Sequence, residues 1–327
     1  MGAFTKLGDA ELGDIAATFS LGAVRAWAVI ATGTINSHFS VEAGDGRWVV
    51  RVNEGKAEAD VAWEARLIDA LAAGGLPTPP PLRTADGRAY APLPGAPGKW
   101  VSVFPWRAGR HLAPAEVTEA HAAAIGEALA TMHAIGAALP PSWRRTSIYD
   151  HDHLVARYRG FAGSRDPALA RAIEVLGEEL AFAEAAAPIR RAATAGIIHG
   201  DLFRDNVLWD GPRLVAILDF EQASGGSFAY DLAVCVNDWC WSPDDARPRL
   251  ELVRALLAGY GSRRPLTDAD RAALPVELRA AAARFTITRI TDVYLARLDH
   301  AEKDFRAFLA RADAWRGQEL GGVTALL

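Results

Sequence analysis

The chain has 327 residues, 50% of them hydrophobic, with 35 Lys and Arg against 40 Asp and Glu and a formal net charge of −5 at pH 7. That apolar content suffices for two lobes with cores of their own, and the mild acidity, with Lys and Arg scattered, offers no cationic face for nucleic acid. No run approaches the length that spans a bilayer and no N-terminal stretch shows the basic, apolar and small-residue succession of a secretion signal, so the chain is expected to work in the cytoplasm, off the membrane.

In chain order, residues 29–30, 39–41 and 48–52 are short β-branched and aromatic runs separated by glycines and Asn36, and they predict a small β-rich lobe. The turn GTINSHF, residues 33–39, has the makings of a phosphate loop: Gly33 permits a sharp backbone approach, and Ser37 adds a hydroxyl to the amides. A plain hairpin is the alternative. A helix follows over 57–73, carrying Glu64 among Val61, Leu67, Ile68 and Leu71, while Arg51 sits mid-strand among valines. A strand cation facing a carboxylate on the packed helix is the ion pair that steadies the α- and β-phosphates of a nucleotide. The competing reading is an exposed strand-edge Arg and a helix-surface Glu.

The segment 75–88 breaks the helix with four prolines and leads into a strand over 99–106 that carries Phe104 and Trp106. Ile125, Leu129 and Met132 recur at helical spacing within 115–137, a long buried helix opening the second lobe, and His133 beside that face reads as a core histidine without chemistry. His151, Asp152 and His153 are adjacent, so they cannot all face one ion, and they read as a polar helix start. Helices over 168–194, 247–260 and 277–298 complete a mostly helical second lobe. Cys235 and Cys240 lie in an apolar stretch and read as buried free thiols.

The segment GIIHGDLFRDNVLWDGPRLVAILDFEQASGGSFAYD, residues 196–231, carries the chemistry. Ile197 and Ile198 close an apolar run, 199–206 form a polar loop, and two short strands at 207–209 and 214–218 flank a turn at Asp210, Gly211 and Pro212. An alcohol attacking a γ-phosphate needs its proton accepted and the polyphosphate charge neutralised by Mg²⁺, and Asp201 suits the first task. Mg²⁺ takes hard oxygen ligands and keeps several waters, so Asn206 and Asp219 suffice as its protein donors. Arg204, three residues after the base, is expected to offset charge on the transferring phosphate. Asp231, at a helix start, is expected to anchor the loop. ATP and Mg²⁺ are therefore the expected cofactors and a small hydroxyl compound the expected partner; oligomeric state is not legible.

HGDLFRDN, followed at Asp219 by DF, resembles the catalytic loop and metal aspartate of the protein-kinase superfamily, and most closely its aminoglycoside phosphotransferase and choline kinase branch. The resemblance implies an α+β, two-lobed protein-kinase-like fold: residues 1–105 a β-rich nucleotide-binding lobe, residues 106–327 a helical lobe with the catalytic loop and acceptor site. It also implies that His199 orients the loop and that backbone near Phe104 and Trp106 meets adenine. Glu221 replaces the kinase Gly, and only twelve positions separate Asp219 from Asp231, which leaves no room for a typical activation loop. The runs at 228–241, 264–275 and 284–292 look like bacterial homoserine kinases of the same superfamily, as does GTINSHF. That likeness implies homoserine as acceptor and a place in threonine biosynthesis. Its carboxylate needs a cation and its ammonium an anion or aromatic face, for which Arg284, Arg289, Asp238 and Asp292, with Trp239 or Trp241, are the candidates. Another small alcohol (an aminoglycoside, choline, ethanolamine or a sugar) and a catalytically dead nucleotide-binding pseudokinase are the alternatives; intact Asp201, Asn206 and Asp219 count against the latter.

Overall fold

A computed structural model describes residues 5–31, 36–242, 246–298 and 303–327. The chain divides into two compact units, Met1–Gly109 with Val215–Glu221, and Arg110–Leu214 with Gln222–Leu327. The first therefore extends a few residues past 105 and also takes in Asp219, which the sequence reading grouped with the second lobe.

In the first unit, α1 (Asp9–Thr18) precedes three strands, β1 (Val24–Ile30), β2 (Ser37–Ala43) and β3 (Gly46–Asn53), then α2 (Glu58–Ala73), β4 (Ala91–Pro92) and β5 (Trp100–Pro105). These strands form one antiparallel sheet in the order β1-β2-β3-β5-β4. The register puts His38 opposite Arg51 and Arg51 opposite Ser102. Alternation sends Phe39, Val41, Val50, Val52, Val101 and Val103 into a core closed by Leu12, Ile15 and Phe19 of the α1 region. The strands expected at 29–30, 39–41 and 48–52 are thus longer than their most apolar residues.

The second unit runs through α3 (Glu119–Ala138), α4 (His151–Arg159), α5 (Ala170–Ala185), α6 (Ala187–Ala192), β6 (Ala195–Ile198) and β7 (Val207–Asp210). Strand β8 (Arg213–Ile217) carries the chain back to the first unit. After it come β9 (Ser224–Ser227), α7 (Phe228–Trp239), β10 (Trp241–Ser242), β11 (Arg247–Pro248), α8 (Leu250–Arg263), α9 (Asp268–Arg289), α10 (Phe305–Trp315) and α11 (Glu319–Thr324). Helices α3 and α8 pack so closely that a Cβ on Gly126 would run into the Leu256 carbonyl, and one on Gly259 into that of Ala123. Asp150 caps α4, whose first residues are the polar start read from His151 to His153. Helix α9 begins at Asp268, nine residues before the expected start: Thr267 and Asp270 form a capping box, and Pro275 lies inside the helix instead of ending it. No helix among the described residues is long and apolar enough to cross a membrane.

Candidate active site

The loop after β6 is held from beneath. Asp231, fully buried on the first turn of α7, accepts the backbone N–H groups of His199 and Gly200, each at 2.7 Å. A third donor is His133 Nε2 at 3.1 Å, while His133 Nδ1 faces the Tyr260 hydroxyl at 2.9 Å. Burial keeps His133 below its usual pKa despite Asp231, so the ring is neutral. Burial alone would raise Asp231, but the hydrogen bonds from His133 and from the Gly200 N–H outweigh it and hold the carboxyl low. Gly200 is left-handed at φ +76°, and a Cβ there would press on the Gln222 carbonyl at 3.2 Å.

The chain then turns through His199, whose Nδ1 accepts the Asp201 N–H at 3.3 Å, and one 3₁₀ turn over Arg204–Asn206. Asn206 Nδ2 donates to the Asp201 carbonyl at 2.8 Å, which commits the donor end of the amide and leaves Oδ1 as the end suited to a cation. The Asp201 carboxylate, partly exposed, meets Arg284 Nη1 at 3.2 Å. Arg284 is almost fully buried between rings, its guanidinium 4.2 Å from the Tyr149 centroid and 3.7 Å from that of Phe285.

Arg204 and Asp238, expected to serve the phosphate and the acceptor's ammonium, bind one another instead. The Arg204 guanidinium forks onto Asp238 at 3.0 and 3.1 Å, and the Arg204 N–H adds a third bond at 2.8 Å. Trp239 is a core residue whose indole N–H donates to the Leu202 carbonyl at 2.9 Å. Asp292 is exposed and ion-paired to Arg157 at 2.6 Å. Arg289 lies with its guanidinium 4.4 Å from the Phe308 centroid. Of the expected acceptor residues, then, the fold brings Arg284 to Asp201, pairs Asp238 with Arg204 and Asp292 with Arg157, and buries Trp239.

The first unit holds a separate ionic cluster. Arg51 forks onto Glu64 at 2.9 and 3.0 Å, both side chains buried. Burial opposes both charges, but each is outweighed by its partner, so Glu64 stays low and Arg51 high. Lys56 reaches Glu64 at 3.5 Å and Glu221 at 2.8 Å, and Glu221 accepts Asn36 Nδ2 at 2.6 Å. The Ser37 hydroxyl donates to Glu54 at 2.7 Å, so it braces the end of β2; Gly33 lies outside the described residues. Phe104 and Trp106 carry cations on their faces, Arg51 at 5.1 Å and Arg47 at 3.7 Å. Asp219 is exposed and left-handed at φ +61°, an uncommon conformation for a non-glycine residue. Its Oδ1 lies 3.4 Å from the Glu221 N–H. Such strain concentrates where a side chain must be aimed.

Sequence reasoning missed Lys56 as the bridge to Glu221, Tyr149 as the plate beneath Arg284, and His133 as a strut of the loop. Their partners lie up to 165 positions away, and no local pattern marks such pairs. Among the described residues no group of three or more His, Cys, Asp or Glu is placed to hold a metal.

The model of the family described as "Phosphotransferase enzyme family" matches residues 26–266. The chain belongs to that family. The phosphotransferase is 36% identical over 294 residues to a homoserine kinase of Methylobacterium radiotolerans, with 89% of this chain and 88% of the relative covered. It is 34% identical to a homoserine kinase of Methylobacillus glycogenes, with 98% of both chains covered. Among solved structures it resembles an amicoumacin kinase in complex with AMP-PNP, Ca²⁺ and Ami at TM-score 0.72 and 16% identity, covering 94% of this chain and 93% of the other. A microcompartment-associated aminopropanol kinase matches at TM-score 0.67 and 20% identity, covering 96% and 99%. The phosphotransferase thus has the α+β kinase-like fold of its neighbours, with the sheet in one unit and most helices in the other.

Proposed function

We propose that this phosphotransferase moves the γ-phosphoryl group of ATP to the side-chain hydroxyl of L-homoserine, giving O-phosphohomoserine. The observation that carries the acceptor is its 33–36% identity, over about nine-tenths of the chain, to several homoserine kinases. The loop geometry supports the reaction class.

In this reading Asp201 accepts the proton of the attacking hydroxyl. Arg284 fixes that carboxylate's direction from a slot between two rings, and His199, Asn206 and Asp231 keep the loop in shape. Asn206 through Oδ1 and Asp219 through its carboxylate are the hard-oxygen donors we assign to Mg²⁺. That ion, when bound with ATP, neutralises charge on the phosphates. Arg51, locked by Glu64 and steadied through Lys56, is the cation we assign to the nucleotide phosphates, and the backbone near Phe104 and Trp106 the adenine contact. Residues 1–105 would thus form the nucleotide lobe and 106–327 the catalytic and acceptor lobe. Arg204 acts here through Asp238, as a brace of the 3₁₀ turn. ATP is an intracellular reactant, so we place the reaction in the cytoplasm.

The test is ADP release by the purified protein with Mg·ATP across homoserine, choline, ethanolamine, several aminoglycosides and simple sugars. Strong stimulation by homoserine is the expected result. Stimulation by another alcohol and not by homoserine would overturn the acceptor while leaving the phosphotransfer reading in place.

A further inference from the structure

Arg289 near the end of α9 and Arg311 in α10 share one ring. Their guanidinium carbons lie 4.4 and 4.2 Å from the Phe308 centroid, and Arg311 also lies 5.2 Å from that of Trp241. Neither makes an ion pair among the described residues. Arg289 donates to the Asp304 carbonyl at 3.1 Å and Arg311 to the Ala307 carbonyl at 2.9 Å, and both acceptors are neutral. Arg311 Nε is buried without a hydrogen-bond partner. Two cations on one ring, bonded only to backbone and with a donor left over, form an arrangement that folding alone does not favour.

The Asp238 carboxylate, whose charge acts on both, does not resolve it. Asp238 is taken by the Arg204 fork. Desolvation lowers Arg311 to about 10, with Asp238 pulling the other way and Arg289 and Arg204 adding repulsion. Arg289 is lowered too, by burial, although Asp238, Asp205, Asp201 and Asp304 all pull the other way. The pair also belongs to the neighbourhood of the loop. Phe308 stacks on Phe203 at 5.7 Å, and Phe203 stands two residues after Asp201. Phe285, beside Arg284, closes the same aromatic group at 4.5 Å from Phe203 and 5.0 Å from Phe308.

We infer that Arg289 and Arg311 form the receptor for the α-carboxylate of the acceptor, the feature that selects an amino-acid alcohol over a plain amino alcohol. This rests on the acceptor reading above. A carboxylate seated there would supply the missing counter-charge and an acceptor for Arg311 Nε, in the fork geometry guanidinium groups favour. An acceptor without a carboxylate would leave both cations unrelieved, so the site would discriminate by what it leaves unpaired.

The experiment compares kcat/KM for L-homoserine and for 3-aminopropan-1-ol, which is homoserine without its carboxylate, in the wild-type enzyme and in Arg311→Gln, Arg289→Gln and Arg311→Lys. Wild type is expected to prefer homoserine. Each Gln variant is expected to shrink that preference roughly 10- to 100-fold, chiefly through KM, and Arg311→Lys less, since it keeps the charge and loses the fork. Equal losses on both acceptors would mean a structural role and overturn the receptor, as would an unchanged preference in the Gln variants. A wild-type enzyme that uses both compounds equally refutes the receptor alone. One that uses neither refutes the acceptor reading, and the receptor with it.

Discussion

The ionic cluster of the first unit and the loop of the second stabilise buried carboxylates in opposite ways. In the first, charge meets charge: Arg51 and Lys56 against Glu64 and Glu221, each from a different part of the chain. In the second, Asp231 is satisfied by two backbone N–H groups and a neutral histidine. The first arrangement cancels itself and holds an arginine in one pose. The second holds a loop without adding positive charge beneath it, and the Asp201 carboxylate at its surface pairs with Arg284. Ion pairs serve where a cation must be kept still, and backbone dipoles serve where a loop must be held without a further charge.

The sharpest break of this contrast is at its chemical end. Asp201→Asn should lower kcat by about 10²–10⁴-fold while Mg·ATP binding, read by calorimetry, stays near wild type. Loss of nucleotide binding in step with turnover would instead make Asp201 a structural residue of the loop. Next in size is Asp231→Ala, which strips three donors of their acceptor at a fully buried position. Urea unfolding should show a loss of about 3–5 kcal/mol, with reduced turnover in whatever remains folded.

The first unit's cluster is tested by a double-mutant cycle. Arg51→Met alone and Glu64→Leu alone each strand a buried charge and should cost about 3–5 kcal/mol, whereas the double variant should recover part of that loss. The KM for ATP should rise in every Arg51 variant, the double included, because recovery of stability does not restore the cation. The smallest effect is in pH. His38 is held at about 4, first by burial and then by Arg51, with Glu221, the Asn36 backbone and Glu64 pulling the other way. Its folded pKa lies below the usual 6.5, so the unfolded chain takes up the proton first. Stability should therefore fall as pH drops from about 6.5 toward about 4 and be unaffected by this group above that window. His38→Gln should flatten that part of the profile relative to wild type.

Much of the candidate site is read from one local stretch of sequence. His199, Asp201, Asn206, Asp219 and Asp231 fall within one 36-residue window in which residue type and spacing encode geometry. Arg51 and Glu64, 13 positions apart across a strand and the next helix, were legible from the pleat and the apolar rows around them. What escaped depends on partners that spacing does not announce. Arg204 and Asp238 were assigned separate tasks because nothing in a sequence states that two residues 34 apart bind each other. Arg311 lies on an amphipathic helix and reads as surface until Phe308 and Trp241 are seen beneath it. Helix α9 starts nine residues before the expected 277, because a capping box at Thr267 and Asp270 and the packed face around Leu274 and Leu278 outweigh Pro275 in the fold.

Cys235 and Cys240 are both fully buried, and burial raises both thiols well above their usual range. At neutral pH neither offers a thiolate to maleimide or iodoacetamide reagents. The native sequence is thus a silent background for site-specific labelling. A single cysteine introduced at an exposed position of each unit would carry a fluorophore pair without first removing the natural thiols, and the distance between the two units could be followed in solution as nucleotide and acceptor are added.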